Sequence, residues 1–320
     1  MGALLKTKKV RKDYAGLPVR LDAVESAFLL RQVEFIAART YDQKFPRLYA
    51  RRFIPINNTI DRSAQTYTYA QYTQVGVARL LASYADDLPA ADTYVKEFST
   101  SIKGLGASYH YNIMEIRQAL RANVSLDQKK ANAARRAIEV QIDTILALGN
   151  TAAGLTGFIN QANALSYTIP NGNAGTPDWA SKTPLEILSD MANMVAFVPT
   201  STGNVEEVDT FLLPRKQYTQ ISTTPYSQTA SDLTILEYFK RNHPGVEVGM
   251  WPLLSGQGVG TTDRAVAYKR DPDHLEGLIP QEFEQFPPEQ KGLTFNVACH
   301  ARIGGVVFYY PLSMCVGDGI

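Results

Sequence analysis

The chain has 320 residues, of which 45% are hydrophobic and 20% charged, so it can form one large domain or two smaller ones with a substantial core. Its 32 Lys and Arg nearly balance 31 Asp and Glu, which excludes a polybasic nucleic-acid wrapper and an acidic, solvating chain. No apolar run reaches the ~18–20 residues of a transmembrane helix, and two cysteines are too few for a disulfide framework. Tyrosine is abundant, with 17 residues against 2 Trp, and it is enriched at protein interfaces.

The N-terminal segment is basic and precedes a predicted helix. We interpret residues 1–21 as an extended arm, because Gly16 and Pro18 disfavour a helix there. Asp22 and Glu25 form a capping-box pattern, which predicts a helix over 23–39.

A long hairpin is predicted next. Residues 64–80 alternate Thr, Tyr and Gln, which indicates a strand with two polar or amphipathic faces and no face reserved for a core. A second strand is predicted over 94–109, with a turn signal at 85–89 between the two. Because an isolated hairpin is only marginally stable, we expect it to lie on another surface, either that of a neighbouring molecule or that of its own domain.

Residues 125–148 show the strongest helical pattern. Ser125 and Gln128 form a capping box, and Gly149 is a C-terminal stop signal. A helix of this length spans about 36 Å. Basic residues in its N-terminal half oppose the helix dipole, which favours an acidic or phosphate partner or, alternatively, simple solvation.

The C-terminal half alternates helix and strand and then becomes strongly β over 291–316. Thr183 and Glu186 predict a capped helix that runs to about Val198. A second helix is predicted to begin at Asp232 and to end at His243. In the helix that Thr183 caps, the residues predicted to face inward are Leu185, Leu188, Ala192 and Val195. Short strands are predicted over 211–213, 246–251 and 264–268.

No pattern in the sequence indicates a cofactor, metal or catalytic site. The 4 histidines include no pair at helical spacing, and the glycines at 256–260 lack the spacing of a phosphate-binding loop. Six acids lie among prolines, and two of them could form a catalytic carboxylate pair, although a solvated or intersubunit acidic patch is the simpler interpretation. These acids are Asp271, Asp273, Glu276, Glu282, Glu284 and Glu289. We therefore predict that the protein is not an enzyme.

The order of elements and a series of short motifs resemble the major capsid proteins of tailed phages, with the Hong Kong phage 97-type fold, and in particular a subfamily long described as a domain of unknown function. The resemblance extends over nearly the whole chain from about residue 30. The motifs are Ala82–Pro89, Gly106–Tyr109, Ala133–Ile138, Thr234–Phe239, Asp263–Tyr268, Phe283–Pro288 and Ala301–Val306.

The resemblance implies an α+β fold with five parts. Residues 1–50 would be an N-terminal arm and its helix, and 62–110 an extended hairpin loop over a neighbouring subunit. Residues 51–61 and 111–165 would form a peripheral domain with a long spine helix. Residues 166–263 would form an α/β axial domain, and 264–320 would return to the peripheral domain as strands.

The resemblance also implies which residues meet partners. The candidates for intersubunit contact on the hairpin are Tyr67, Tyr69, Tyr72, Arg79, Lys96 and Lys103. The candidates for facing packaged DNA are Lys8, Lys9, Arg11, Lys12, Lys129, Lys130, Arg135 and Arg136. No motif supports the Lys–Asn crosslink that some members form between subunits.

The implied function is a virion shell of pentamers and hexamers around double-stranded DNA, assembled in the host cytoplasm. The implied partners are further copies of the chain, a separate scaffold, a portal and decoration proteins, with no membrane. Three alternatives stay open at this stage. They are an encapsulin-type nanocompartment shell, a hydrolase that uses the 271–289 acids, and a monomeric binding module.

Overall fold

The computed structural model describes residues 46–77, 90–122, 126–227 and 231–320. The predicted arm and its helix over 23–39 lie outside the described residues, as does the predicted turn at 85–89. Within the described ranges, no helix combines the length and hydrophobicity that crossing a membrane requires.

Six α-helices and sixteen strands follow one another in the described chain. The helices are α1 (Ala50–Phe53), α2 (Ile113–Ala122), α3 (Leu126–Leu148), α4 (Pro184–Thr202), α5 (Arg215–Thr223) and α6 (Ile235–Asn242). The first strands are β1 (Ile56–Asn57), β2 (Thr66–Val75), β3 (Asp92–Ser101), β4 (Lys103–Asn112), β5 (Leu165–Thr168), β6 (Thr210–Leu213), β7 (Pro225–Ser227) and β8 (Ser231–Thr234). The others are β9 (Glu247–Met250), β10 (Arg264–Tyr268), β11 (Leu275–Leu278), β12 (Gln281–Gln285), β13 (Glu289–Lys291), β14 (Thr294–Ile303), β15 (Gly305–Phe308) and β16 (Met314–Asp318).

The hairpin consists of β2 and β3, which pair antiparallel from Thr66↔Ser101 to Val75↔Asp92. The prediction of a single strand over 94–109 is wrong, because the chain contains two strands there. Ile102, which is buried, separates them, and β4 leaves the hairpin to pair along its whole length with β14. The hairpin is therefore shorter than the predicted 62–110.

The long helix α3 confirms the predicted spine, and its apolar stripe enters the core through Ile138, Ile142 and Ile145. The predicted cap Ser125 lies outside the described residues. The buried carboxylate of Asp143 accepts hydrogen bonds from the backbone N–H groups of Tyr49 and Ala50, at 2.9 and 2.8 Å, and so caps α1 from the side of α3. Burial raises the pKa of Asp143, and the two backbone N–H donors partly oppose that rise.

A five-stranded sheet in the order β5-β16-β10-β6-β9 separates two apolar cores. One face, with Phe211 and Ala267, packs with α4 and α6, and the opposite face, with Leu212 and Tyr268, packs with α3. The inner strands β6, β10 and β16 are mostly apolar because both of their faces are buried, whereas the edge strand β5 alternates partly buried and exposed residues. The sheet contains strands from both sides of the predicted domain boundary at residue 263, since β10 and β16 lie between β5 and β6.

Helices α4 and α6 begin with capping boxes, but two details of the prediction are wrong. Thr183 caps α4 as predicted. The fully buried apolar side chains of α4 are Ile187, Met191, Met194 and Val198, whereas the predicted Leu188 and Val195 pack against this core only partly buried and Leu185 is exposed. The cap of α6 is Thr234, whose hydroxyl accepts from the Glu237 N–H, because the predicted cap, Asp232, lies in strand β8.

Two further sheets complete the described chain. Strand β14 is central in one, with β12 and β13 along one edge and β4 along the other. The other consists of β1, β11 and β15. Helix α2, which the sequence analysis did not predict, connects β4 to the region before α3.

Candidate assembly surface

The outer half of the hairpin is exposed and carries aromatic and β-branched side chains. Tyr72 is 66% exposed, Tyr94 60% and Val95 54%. Tyr72 lies directly opposite Val95 in the antiparallel register, so these two side chains share one face of the ribbon, whereas Val75 and Tyr94 lie on its other face. We call the exposed residues of both faces, Tyr72, Val75, Tyr94 and Val95, the outer hairpin surface.

The inner half of the hairpin packs on the chain's own body through a chain of hydroxyl groups. The Tyr309 hydroxyl donates to Glu276 Oε2 at 2.9 Å, and the Tyr67 hydroxyl lies 2.8 Å from the Tyr309 oxygen, to which it donates. The Tyr69 hydroxyl donates to the Phe308 carbonyl at 3.2 Å, and its ring meets Tyr309 edge-on at 4.9 Å. Burial, above all, raises the pKa of Tyr309 and of Tyr69, so both remain neutral donors at physiological pH.

The root of the hairpin is fixed by Arg302 on β14. Its guanidinium donates to the backbone carbonyls of Arg62 and, at 2.7 Å, Ala64. The Ile102 N–H donates to the Gln65 carbonyl at 2.8 Å, so the two strands enter the body side by side. The base of the hairpin is therefore held in a defined direction, while its outer half is left uncovered.

The predicted intersubunit residues occupy different positions in the structure. Tyr72 lies on the outer hairpin surface, whereas Tyr67 and Tyr69 contact the body of their own chain. The Lys96 ammonium lies 4.9 Å from the centroid of the Phe98 ring. Lys103 is not on the hairpin, because it begins β4 opposite Ile303, and Arg79 lies outside the described residues.

Sequence reasoning missed the anchor residues Tyr309, Glu276 and Arg302. Tyr309 and Arg302 each lie more than 200 residues from the residue that they contact in the hairpin or at its root, and Glu276 acts through Tyr309. The run of two tyrosines at 309 and 310 was visible, but no local pattern indicates which distant strand such side chains contact.

Two of the four predicted basic residues on α3 have acidic partners within the chain. Lys130 Nζ lies 2.8 Å from Glu115 Oε2, and Arg135 Nε lies 2.9 Å from Glu139 Oε1. The hydrogen bond from Lys130 lowers the pKa of Glu115, which keeps that carboxylate charged. Lys8, Lys9, Arg11 and Lys12 lie outside the described residues.

The six acids of 271–289 do not all meet at one site, although Asp273 and Glu276 line the same cleft beside Tyr309. Glu282 forms a bidentate ion pair with Arg51, at 2.7 Å for both oxygens, and Glu276 belongs to the hairpin anchor. Asp271 accepts from the Asp273 N–H at 3.0 Å within a turn. Among the described residues, no group of three or more His, Cys, Asp or Glu side chains has the geometry to hold a metal ion.

Solved structures share this fold. The capsid of Myoviridae phage XM1 matches with a TM-score of 0.78 at 18% identity, covering 91% of this chain and 98% of that one. The capsid of a native GTA particle matches at 0.63 and 10% identity, covering 93% and 99%. A virus-like particle from Pyrococcus furiosus matches at 0.52 and 13% identity, covering 83% and 91%. No curated protein sequence gives a significant match.

The fold, a spine helix beside a two-core body with a projecting hairpin, is therefore that of phage capsid proteins of the Hong Kong phage 97 type. The family described as "Major capsid protein" matches residues 76–320. The chain belongs to this family of major capsid proteins, which confirms the resemblance and the α+β fold class.

Proposed function

We propose that this major capsid protein assembles into the pentamers and hexamers of an icosahedral shell that encloses double-stranded DNA. The observation that carries the proposal is the outer hairpin surface, whose aromatic and apolar side chains are more than half exposed while hydrogen bonds hold the hairpin base on the body.

Energetics support burial of this surface against a second copy. Ordering the hairpin backbone costs about 1–2 kcal/mol per residue. Of the two halves of the hairpin, the inner half makes the contacts within the described chain that offset this cost. Burying each Tyr or Val side chain against a neighbour contributes about 1.5–3 kcal/mol. A head-to-tail contact between unlike surfaces closes into rings, which is the symmetry that pentamers and hexamers require.

The wider partners in this proposal come from the family resemblance. The shell would form in the host cytoplasm with a separate scaffold protein and a portal, and it would meet the genome through sequence-independent contacts. The protein would be a structural component and not a hydrolase, which agrees with the structural partners of Glu276 and Glu282.

Deletion of the hairpin tests the proposal. Residues 66–101 can be replaced by a short glycine linker, because the Gln65 carbonyl and the Ile102 N–H are already hydrogen-bonded. We expect a folded subunit, reported by the emission of the fully buried Trp179 and Trp251, that forms no particles in electron micrographs. Intact shells from this variant would contradict the role of the hairpin.

A milder pair of variants tests the outer hairpin surface while the hairpin keeps its full length. Tyr72→Ser with Tyr94→Ser removes apolar area from the outer hairpin surface, whereas Tyr72→Phe with Tyr94→Phe conserves shape. We expect the Ser pair to lower particle yield strongly and the Phe pair to assemble. Particles that contain nucleic acid support a virus capsid, and particles filled only with host enzymes support the nanocompartment alternative.

A further inference from the structure

Helix α2 presents two arginines at its surface. Arg117 and Arg121 are both exposed, and neither forms an ion pair with any residue that the structure describes. Four residues separate them, so they lie on the same face of the helix, about 6 Å apart along its axis.

The acid on the same helix is already paired with another cation. Glu115, on the same helix, accepts from Lys130 of α3, which also donates to the His110 carbonyl at 2.8 Å. These contacts place the first turns of α3 beside α2, and Glu115 is engaged with Lys130 and not with Arg117 or Arg121.

We infer that the exposed face of α2 binds the phosphate backbone of packaged DNA, with Arg117 and Arg121 as the contacting residues. This inference rests on the proposed function, because it requires a shell with DNA inside. It shifts the contact from Lys130 and Arg135, which the sequence analysis selected and which have acidic partners, to arginines that form no ion pair with a described side chain.

The chemistry of the arginines fits phosphate. A guanidinium donates two parallel hydrogen bonds to phosphate oxygens and remains charged at any physiological pH. Successive phosphates of one strand lie ~3.4 Å apart along the duplex axis, so the spacing of the two arginines corresponds to about two phosphates. A shell that repeats such a pair in every subunit suits a polyanion of uniform charge, because the contact requires no particular base sequence.

The test measures binding of full-length protein, below its assembly concentration, to a fluorescent DNA duplex between 50 and 200 mM salt. Each phosphate contact contributes about −0.9 to the slope of log K against log salt. We expect Arg117→Gln with Arg121→Gln to reduce the magnitude of that slope by about 2 and to weaken binding at low salt by about tenfold or more.

A matched control removes the same charge elsewhere. Lys240→Gln with Arg241→Gln changes two exposed cations in the last turn of α6, and we expect it to retain the wild-type slope. An unchanged slope in the α2 variant, or no binding by the wild type at 50 mM salt, would overturn the inference. Equally tight, α2-dependent binding to poly-glutamate would also overturn it, in favour of an acidic protein partner.

Electron microscopy of the same variants keeps this inference distinct from the proposed function. If the α2 variant forms shells but binds DNA like the wild type, the inference fails and the shell proposal stands. If the wild type forms no particles, the shell proposal itself fails.

Discussion

The buried ion pair between Lys182 and Asp190 shows how single residues hold the α/β lobe together. Lys182 Nζ lies 2.5 Å from Asp190 Oδ2 and 2.6 Å from the Pro170 carbonyl, and the two side chains are 1% and 3% exposed. The Trp179 indole N–H donates to the same carboxylate oxygen at 3.0 Å. The pair thereby fastens the loop before α4 to the helix, although burial raises the pKa of Asp190 against the opposing effect of Lys182.

Breaking this pair from one side should be costly. We expect Asp190→Asn to destabilise the subunit by about 3–5 kcal/mol, because it leaves a buried ammonium without a counter-charge. Urea unfolding followed by tryptophan emission measures the change. The double variant Lys182→Met with Asp190→Asn should recover most of the loss, and a single variant as stable as the wild type would show that the pair does not hold the loop.

At the scale of elements, the end of α3 depends on a glycine that the sequence analysis predicted as a stop. Gly149 has a φ of +77°, and its N–H donates to the Ile145 carbonyl at 2.8 Å. A Cβ atom at this position would lie 2.6 Å from both the Leu155 carbonyl oxygen and the Gly157 nitrogen. The glycine therefore serves two purposes, a left-handed turn and a close approach of two backbone segments.

A comparison of two glycines separates these purposes. Gly175 has the same φ of +77° but nothing within 4 Å of the added Cβ. We expect Gly175→Ala to cost about 1–2 kcal/mol, the strain of the left-handed backbone alone. Gly149→Ala should cost clearly more in the same thermal or urea unfolding experiment, and equal costs would mean that the backbone near Leu155 relaxes freely.

The hairpin ends at a strand boundary that the sequence pattern did not predict. Its first strand was predicted from the Thr, Tyr and Gln alternation, and that strand is confirmed over Thr66–Val75. The second predicted segment combined β3 with β4, because a one-residue break at Ile102 carries no Gly or Pro signal. Only the pairing of β4 with the distant β14 distinguishes the two strands.

At the scale of the whole molecule, both cysteines lie in the interior of β-sheets. Cys315, on β16, faces the core beneath α4, and burial raises its pKa to about 12. Cys299, on β14, is also buried, and desolvation raises its pKa as well. Neither thiol has the exposed, thiolate-stabilising surroundings of a reactive cysteine.

The thiols should therefore report opening of the whole subunit. We expect a colorimetric disulfide reagent to label neither cysteine in native protein at neutral pH and both in denaturant. As urea increases, the rate at which the reagent labels the cysteines should rise in proportion to the fraction of unfolded protein. Rapid labelling of Cys315 without denaturant would show that α4 opens independently of the rest of the subunit.

The sequence by itself determined the class of fold and the local features of its elements. The spine helix, the capping box at Thr183 and the strand Arg264–Tyr268 follow from spacing, cap and turn residues, which act within a few positions along the chain. The ordered motifs gave the family, which the match over residues 76–320 confirms.

Only the tertiary structure decided which face of α4 is buried, that β10 and β16 join β5, β6 and β9 in one sheet, and that the hairpin rests on Tyr309 and Arg302. These outcomes depend on contacts between residues far apart in the chain. Local periodicity fixes neither a partner strand nor a buried hydrogen bond, because both are selected by the fit of whole surfaces when the chain packs.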